Sequence, residues 1–198
     1  MSNDRLARQI AFIVEADKLK AIERRTPLTD RSRQENSAEH SWHMALAAMT
    51  LAEYAPADIE LRRVLELVTI HDIVEIYAGD TFAYDPDAEA HATKEQRERD
   101  AAERIFGLLP GDQAVYFREC WEEFEARQTV NAKYANALDR LQALLQNMQA
   151  GGGSWQAHRV QREDVMRRME PIHATLPELW PFIVEVVDRF CAIGAIET

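Results

Sequence analysis

LRRVLELVTIHDIVE, residues Leu61 to Glu75, decides how the chain is read. Leu61, Val64, Val68, His71 and Glu75 recur at intervals of three and four, so on a helix they form one continuous stripe. The apolar face thus ends in an imidazole and then a carboxylate. Asp72 lies about 100° round from His71, near enough for both to bind one ion. Glu75 projects beside both, one turn on. Burying an acid at the end of an apolar stripe is costly unless it is paired or holds a metal. Taken alone, a His-Asp dipeptide reads equally as a satisfied core pair.

Working outward, nearly every segment has helical periodicity. Residues 4–24 carry Leu6, Ile10, Ile13, Val14 and Leu19 as a stripe. Residues 26–33 form a polar loop, and Asn36 followed by Glu39 has the pattern of a capping box. The helix it opens runs through Trp42, Leu46 and Met49 to Pro56, and the next begins near Asp58. Residues 79–87 break the pattern and residues 88–106 resume it. A turn at Pro110, Gly111 and Asp112 precedes a helix containing Cys120, Trp121 and Phe124. Another follows over 129–148, Gly151, Gly152 and Gly153 stop it, and two more occupy 160–173 and 177–193. No run alternates as a strand would. The expectation is an all-α, single-domain helical bundle over 1–198, with a motif core at about 36–148 and C-terminal helices over 155–194.

Composition bounds the function. At 198 residues the chain suits one domain with a substantial core. With 46% hydrophobic and 29% charged residues it is globular rather than disordered. A net charge of −11 argues against nucleic acid polymers, which call for a basic surface. It leaves small anionic substrates open, because a bound cation and a few arginines reverse the local potential. Cys120 and Cys191 lack CxxC spacing and read as free thiols in a reducing compartment. Arg5 and Arg8 precede Ile10 to Val14, but Glu15 and Asp17 cut that run too short for a signal peptide, and no stretch approaches the ~20 apolar residues that span a bilayer. A cytoplasmic protein with no membrane partner is expected.

Further candidate ligands come from other helices. His40 opens the second helix and His43 follows three residues later, so spacing leaves either eligible. Asp139 sits between Leu138 and Leu141, and is either paired with Arg140 or another cation or is a ligand. His40, His71, Asp72 and Asp139 together are hard to explain as separate core accidents. A divalent ion with protein ligands and open positions makes hydroxide from water, which points to hydrolysis.

This H…HD…D pattern resembles the HD-domain phosphohydrolases, an all-helical, metal-dependent superfamily. The word Glu35-Asn36-Ser37-Ala38-Glu39-His40-Ser41, His71-Asp72 with Glu75, and Gly79-Asp80 resemble the branch containing the bacterial 5'-deoxynucleotidases. The resemblance implies that His40 (rather than His43), His71, Asp72 and Asp139 bind one divalent ion: Mn, Co, Fe, Zn or Mg. It implies catalytic roles for Glu75 and Asp80 around the attacking water and leaving group. Arg24 or Arg25 falls where the family binds phosphate, with Asp72 and Asp80 also facing substrate. The chain departs from that branch twice. Arg25-Thr26 replaces the expected arginine-tryptophan, and Asn136 stands where a lysine is common, leaving Lys133 or Lys94 to supply the charge. The implied activity is release of phosphate from (deoxy)nucleoside 5'-monophosphates, and a homodimer is expected; Trp121, Phe124, Trp180 and Phe182 could supply an apolar dimer face, although at helical spacing such residues are more often core. Two alternatives are an HD phosphohydrolase for another phosphorylated metabolite or regulatory nucleotide, and a metal-binding helical dimer without chemistry.

Overall fold

The computed structural model describes residues 3–80 and 88–198 and is helical almost throughout, as expected. Of the break expected over 79–87, only Gly79 and Asp80 lie within the described residues. Helix α1 (Asn3–Ala16) gives way to a 3-10 turn at Asp17–Ala21 and then to strand β1 (Glu23–Pro27). Strand β2 (Gln34–Asn36) pairs with it antiparallel, Glu23 opposite Asn36 and Pro27 opposite Gln34, with an irregular register between.

Helix α2 (Ser37–Thr50) starts at the expected capping box: Asn36 Oδ1 accepts from Glu39 N at 3.0 Å, and Glu39 accepts from Asn36 N at 3.2 Å. Such a cap is worth about 1 kcal/mol. Helix α3 (Leu61–Ile70) buries Val64, Leu67 and Val68 completely, each contributing about 1.5–3 kcal/mol. It ends one residue before His71, and a turn leads into the short α4 (Glu75–Ala78). Helices α5 (Ala88–Phe106) and α6 (Gly111–Ala126) follow. Then α7 (Val130–Gln149) runs through the middle of the molecule, packed on α2, α3, α6 and the later α9 (Arg162–Thr175). Its buried positions lie all round its axis, the mark of a central helix. A short α8 (Gly153–Ala157) precedes α9, and α10 (Trp180–Ala192) closes the chain.

Glycine is needed where α7 turns into α8. Gly152 and Gly153 have φ of 109° and 41°, conformations that side chains rarely adopt. A Cβ on Gly153 would stand 2.5 Å from Asn147 Oδ1 and 3.3 Å from the Pro27 ring. The turn therefore presses directly on β1.

Several expectations are corrected. The first helix stops at Ala16, and residues 23–36 form a hairpin instead of helix and loop. The α1 stripe is not core: Leu6, Ile10, Ile13 and Val14 are more than half exposed, while Phe12 and Leu19 are buried. Besides Phe12, which packs edge-on against Phe117, polar contacts hold α1. Arg8 donates to the carbonyls of Gly107, Leu108 and Leu109 at 2.6–3.1 Å, capping α5, and Arg5 pairs with Asp112 at the start of α6. Trp121 and Phe124 are buried, as their helical spacing favours, and Trp180 stacks on His173; of the four aromatics that could supply a dimer face, only Phe182 is exposed. Both cysteines are free thiols. No helix among the described residues is long and apolar enough to cross a membrane.

Candidate metal centre and substrate cavity

His40 lies one turn into α2 and is completely buried. Its Nδ1 is 2.8 Å from Gln142 Oε1 on α7, and Gln142 Nε2 donates to Glu35 Oε1 at 2.7 Å. Gln142 offers His40 a carbonyl oxygen, so Nδ1 carries the proton and donates. Nε2 is thereby turned towards Asp139 Oδ1, 3.1 Å away. His43 is excluded from this cluster; it stacks on Trp42 and meets only Gln142.

His71, just past the end of α3, donates from Nδ1 to Val68 O at 2.9 Å. Its Nε2 is buried with no hydrogen-bond partner among the described residues and sits 2.9 Å from Asp72 Oδ1. A lone pair facing a carboxylate oxygen inside a protein is unfavourable for both groups, and a cation between them removes the conflict. His40, His71 and Asp72 each offer a ligand atom within 4.8 Å of the others, all buried. Asp139 meets this group through His40. The donor set, two imidazoles with carboxylates, therefore fits a divalent transition metal.

Arg24, brought in by β1, spans the carboxylates. Nη1 donates to Asp72 Oδ2 at 3.0 Å, Nη2 lies 3.9 Å from Asp139, and Nε lies 3.6 Å from Glu35. Burial pushes its pKa down, but Asp72, Asp139, Glu75 and Asp80 outweigh that and raise it. Arg25, next along the strand, is exposed. Arg24 is the one that reaches the carboxylates, while Arg25 also borders the cavity.

The carboxylates divide into two kinds. Asp72 resists burial through His71, Arg24 and His40, which bring it down to about 2. Asp139 is likewise held well below the ordinary range, burial being overcome by His40, Arg168 and Arg24. Glu75 goes the other way: burial and then Asp72 raise it well above the usual value, although Ser37 Oγ donates to its Oε2 at 2.6 Å. Burial and Asp72 also raise Asp80, despite the opposing effect of Arg24. His40 is depressed by burial and Arg24, but Asp139, Glu35 and Asp72 prevail and bring it up to about 9. Asp72 and Asp139 are therefore anions, whereas Glu75 and Asp80 can hold protons.

The four carboxylates, with Arg24 and His71, line a cavity of about 290 Å³ that continues past Asp139 to α8 and α9. Lys133 is exposed, while Lys94 borders the cavity. Asn136 carries no charge there; its amide donates to Phe124 O and Ala132 O, and its carbonyl groups hold Arg140. Burial, with Arg168 and Arg127 alongside, brings Arg140 down to about 10. Arg140 and Arg168 line the cavity and were missed in the sequence. The available signal was positional. Arg168 falls between Val165, Met169 and Ile172, all buried, so a charge sits beside the core face of α9.

The HD domain family matches residues 16–180. A solved structure from Magnetospirillum magnetotacticum MS-1, described as a predicted metal-dependent phosphohydrolase, superposes with a TM-score of 0.93 at 49% identity, covering 98% of this chain and 97% of that one. A conserved hypothetical protein from Pyrococcus furiosus gives a TM-score of 0.58 at 25% identity, covering 71% and 83%. Among curated proteins, 5'-deoxynucleotidase HDDC2 of Homo sapiens is 32% identical over 116 residues, 58% of this chain and 53% of that protein. The Danio rerio protein of that name is 30% identical over 57% and 54%. The chain spans about half the length of the curated relatives it matches.

Proposed function

From the premise that the chain belongs to the HD domain family, we propose that it is a metal-dependent phosphohydrolase, releasing phosphate from (deoxy)nucleoside 5'-monophosphates as one domain over 1–198. The observation that carries this reading is the buried Nε2 of His71 held against Asp72 without a hydrogen bond among the described residues, with His40 beside them. The relatives called 5'-deoxynucleotidase support the choice of substrate.

His40, His71, Asp72 and Asp139 would hold the ion: Mn, Co, Fe, Zn or Mg. Such an ion supplies a Lewis acid and lowers the pKa of water. Glu75 takes the proton of the attacking water at Oε1, since Ser37 occupies Oε2. The water oxygen bonds to phosphorus as the bond to the 5'-oxygen breaks, and Asp80 hands that oxygen a proton. Arg24 offers its planar fork to the phosphate oxygens and balances their charge.

A homodimer belongs to the same proposal, with its contact supplied by the exposed residues of α1 and by Trp42, Leu46 and Met49 of α2. Elution as a single copy at micromolar concentration would remove it. The activity is tested by elemental analysis of the purified protein, then a phosphate-release screen with the ion restored. The panel covers nucleoside 5'- and 3'-monophosphates and sugar phosphates. Release from 5'-monophosphates supports the assignment; a metal-loaded protein inert towards every ester ends it.

A further inference from the structure

Glu35, at the centre of β2, is 2% exposed and lies outside both the candidate ligands and the pair of acids that can hold protons. Its two oxygens are treated differently. Oε1 accepts from Gln142 Nε2 at 2.7 Å and from Gln146 Nε2 at 2.5 Å. That double clamp fixes where Oε2 stands, yet Oε2 is buried with no hydrogen-bond partner among the described residues. Two nitrogens stand 3.6 Å from it, Arg24 Nε and His40 Nδ1. His40 Nδ1 already donates to Gln142 at 2.8 Å. Arg24 Nε is itself buried without a partner among the described residues. An orphaned donor and an orphaned acceptor therefore face each other just outside hydrogen-bonding range. Buried polar groups are costly to leave unpaired, and closing this gap satisfies both.

The hairpin sets the two residues side by side, each next to the Glu23–Asn36 register pair. With Nε towards Glu35, the terminal nitrogens of Arg24 are turned to other acids. Nη1 bonds Asp72 Oδ2 at 3.0 Å, and Nη2 stands 3.9 Å from Asp139. Asp72 is also a candidate ligand, so an ion draws on the charge that holds Nη1. When a phosphate takes the terminal nitrogens, Glu35 still holds the guanidinium from behind. We propose that Glu35 is a positioning residue of the phosphate site: it seats Arg24 through Nε, so that Nη1 and Nη2 present an end-on fork to the phosphate. The role of Arg24 here rests on the phosphohydrolase reading.

Glu35→Gln keeps the volume and an acceptor for both glutamine amides, but removes the charge and sets an amide group against Arg24 Nε. Titration calorimetry of inorganic phosphate into the metal-reconstituted full chain should show affinity ~10-fold or more below wild type, with metal content unchanged. Arg24→Gln should lose at least as much, and the double variant no more than Arg24→Gln alone, because Glu35 works through Arg24. In turnover, KM for a 5'-monophosphate should rise more than kcat falls. Should Glu35→Gln not fold, heteronuclear NMR of the wild type loaded with zinc and phosphate decides. The Arg24 Nε–H should then exchange slowly with water, and rapid exchange overturns the seat. Wild-type phosphate affinity in folded Glu35→Gln, loss of metal along with phosphate, or additive losses in the double variant also overturn the assignment. Wild-type affinity in Arg24→Gln removes the phosphate arm, and this assignment with it. A chain that shows the expected pattern yet hydrolyses no ester loses only the proposed activity.

Discussion

Asp72 and Asp139 are held ionised by their neighbours, whereas Glu75 and Asp80, in the same cavity, are pushed towards the protonated form. The first pair is surrounded by imidazoles and guanidinium groups, which more than offset burial and keep both acids ionised. The second pair is buried with Asp72 as a neighbour and is raised. Glu75 lies only three residues beyond Asp72, so chain position does not separate them. The turn between α3 and α4 does, by aiming Asp72 at His71 and Arg24, and Glu75 at Ser37. Environment alone holds one carboxylate ionised and pushes the next towards its protonated form.

Removing the anion from the first pair should have the largest effect. Asp72→Asn is expected to lose both bound metal and phosphatase turnover, and full retention of both in the same preparation contradicts the division. Glu75→Gln should separate the two properties: metal content at the wild-type level, with turnover lower by about 10²–10⁴-fold. Unchanged turnover would reduce Glu75 to packing. Gln142→Leu touches neither pair directly but frees the His40 ring, and should weaken metal affinity by about 10–100-fold in a chelator competition.

The smallest expected effect sharpens the comparison most. The Ser37 hydroxyl favours the charged form of Glu75, so Ser37→Ala should raise that pKa further. A base must be deprotonated to act, so the acidic limb of the turnover profile should move to higher pH. A limb that stays put, or moves to lower pH, would mean that Glu75 is not the group being titrated.

His71, Asp72 and Asp139 were legible in the sequence as groups that end or interrupt the apolar stripes of α3 and α7, whereas spacing left His40 and His43 of α2 equally eligible. The Asn36–Glu39 cap and the span of α5 were legible for local reasons, capping chemistry and charge periodicity. The hairpin was not. Glu23-Arg-Arg-Thr-Pro27 has no apolar alternation; only Thr26 is buried, and the strand is held by packing on α7 and α8. Likewise the apolar residues of α1 mimic a core stripe, whereas the helix is fastened by Arg5 and Arg8 to groups about a hundred residues away. Arg168 enters the cavity only through the packing of α9 on α7, a contact that leaves no trace in local spacing.

The glycine turn after α7 reaches further than its place in the chain suggests. Because Gly153 abuts both Asn147 and the Pro27 ring, any larger residue there would shove the strand that delivers Arg24 to Asp72. Natural variation at that corner would then surface as weakened phosphate capture with every ligand to the ion intact. A geneticist mapping such an allele would find the lesion far from the residues whose work it spoils.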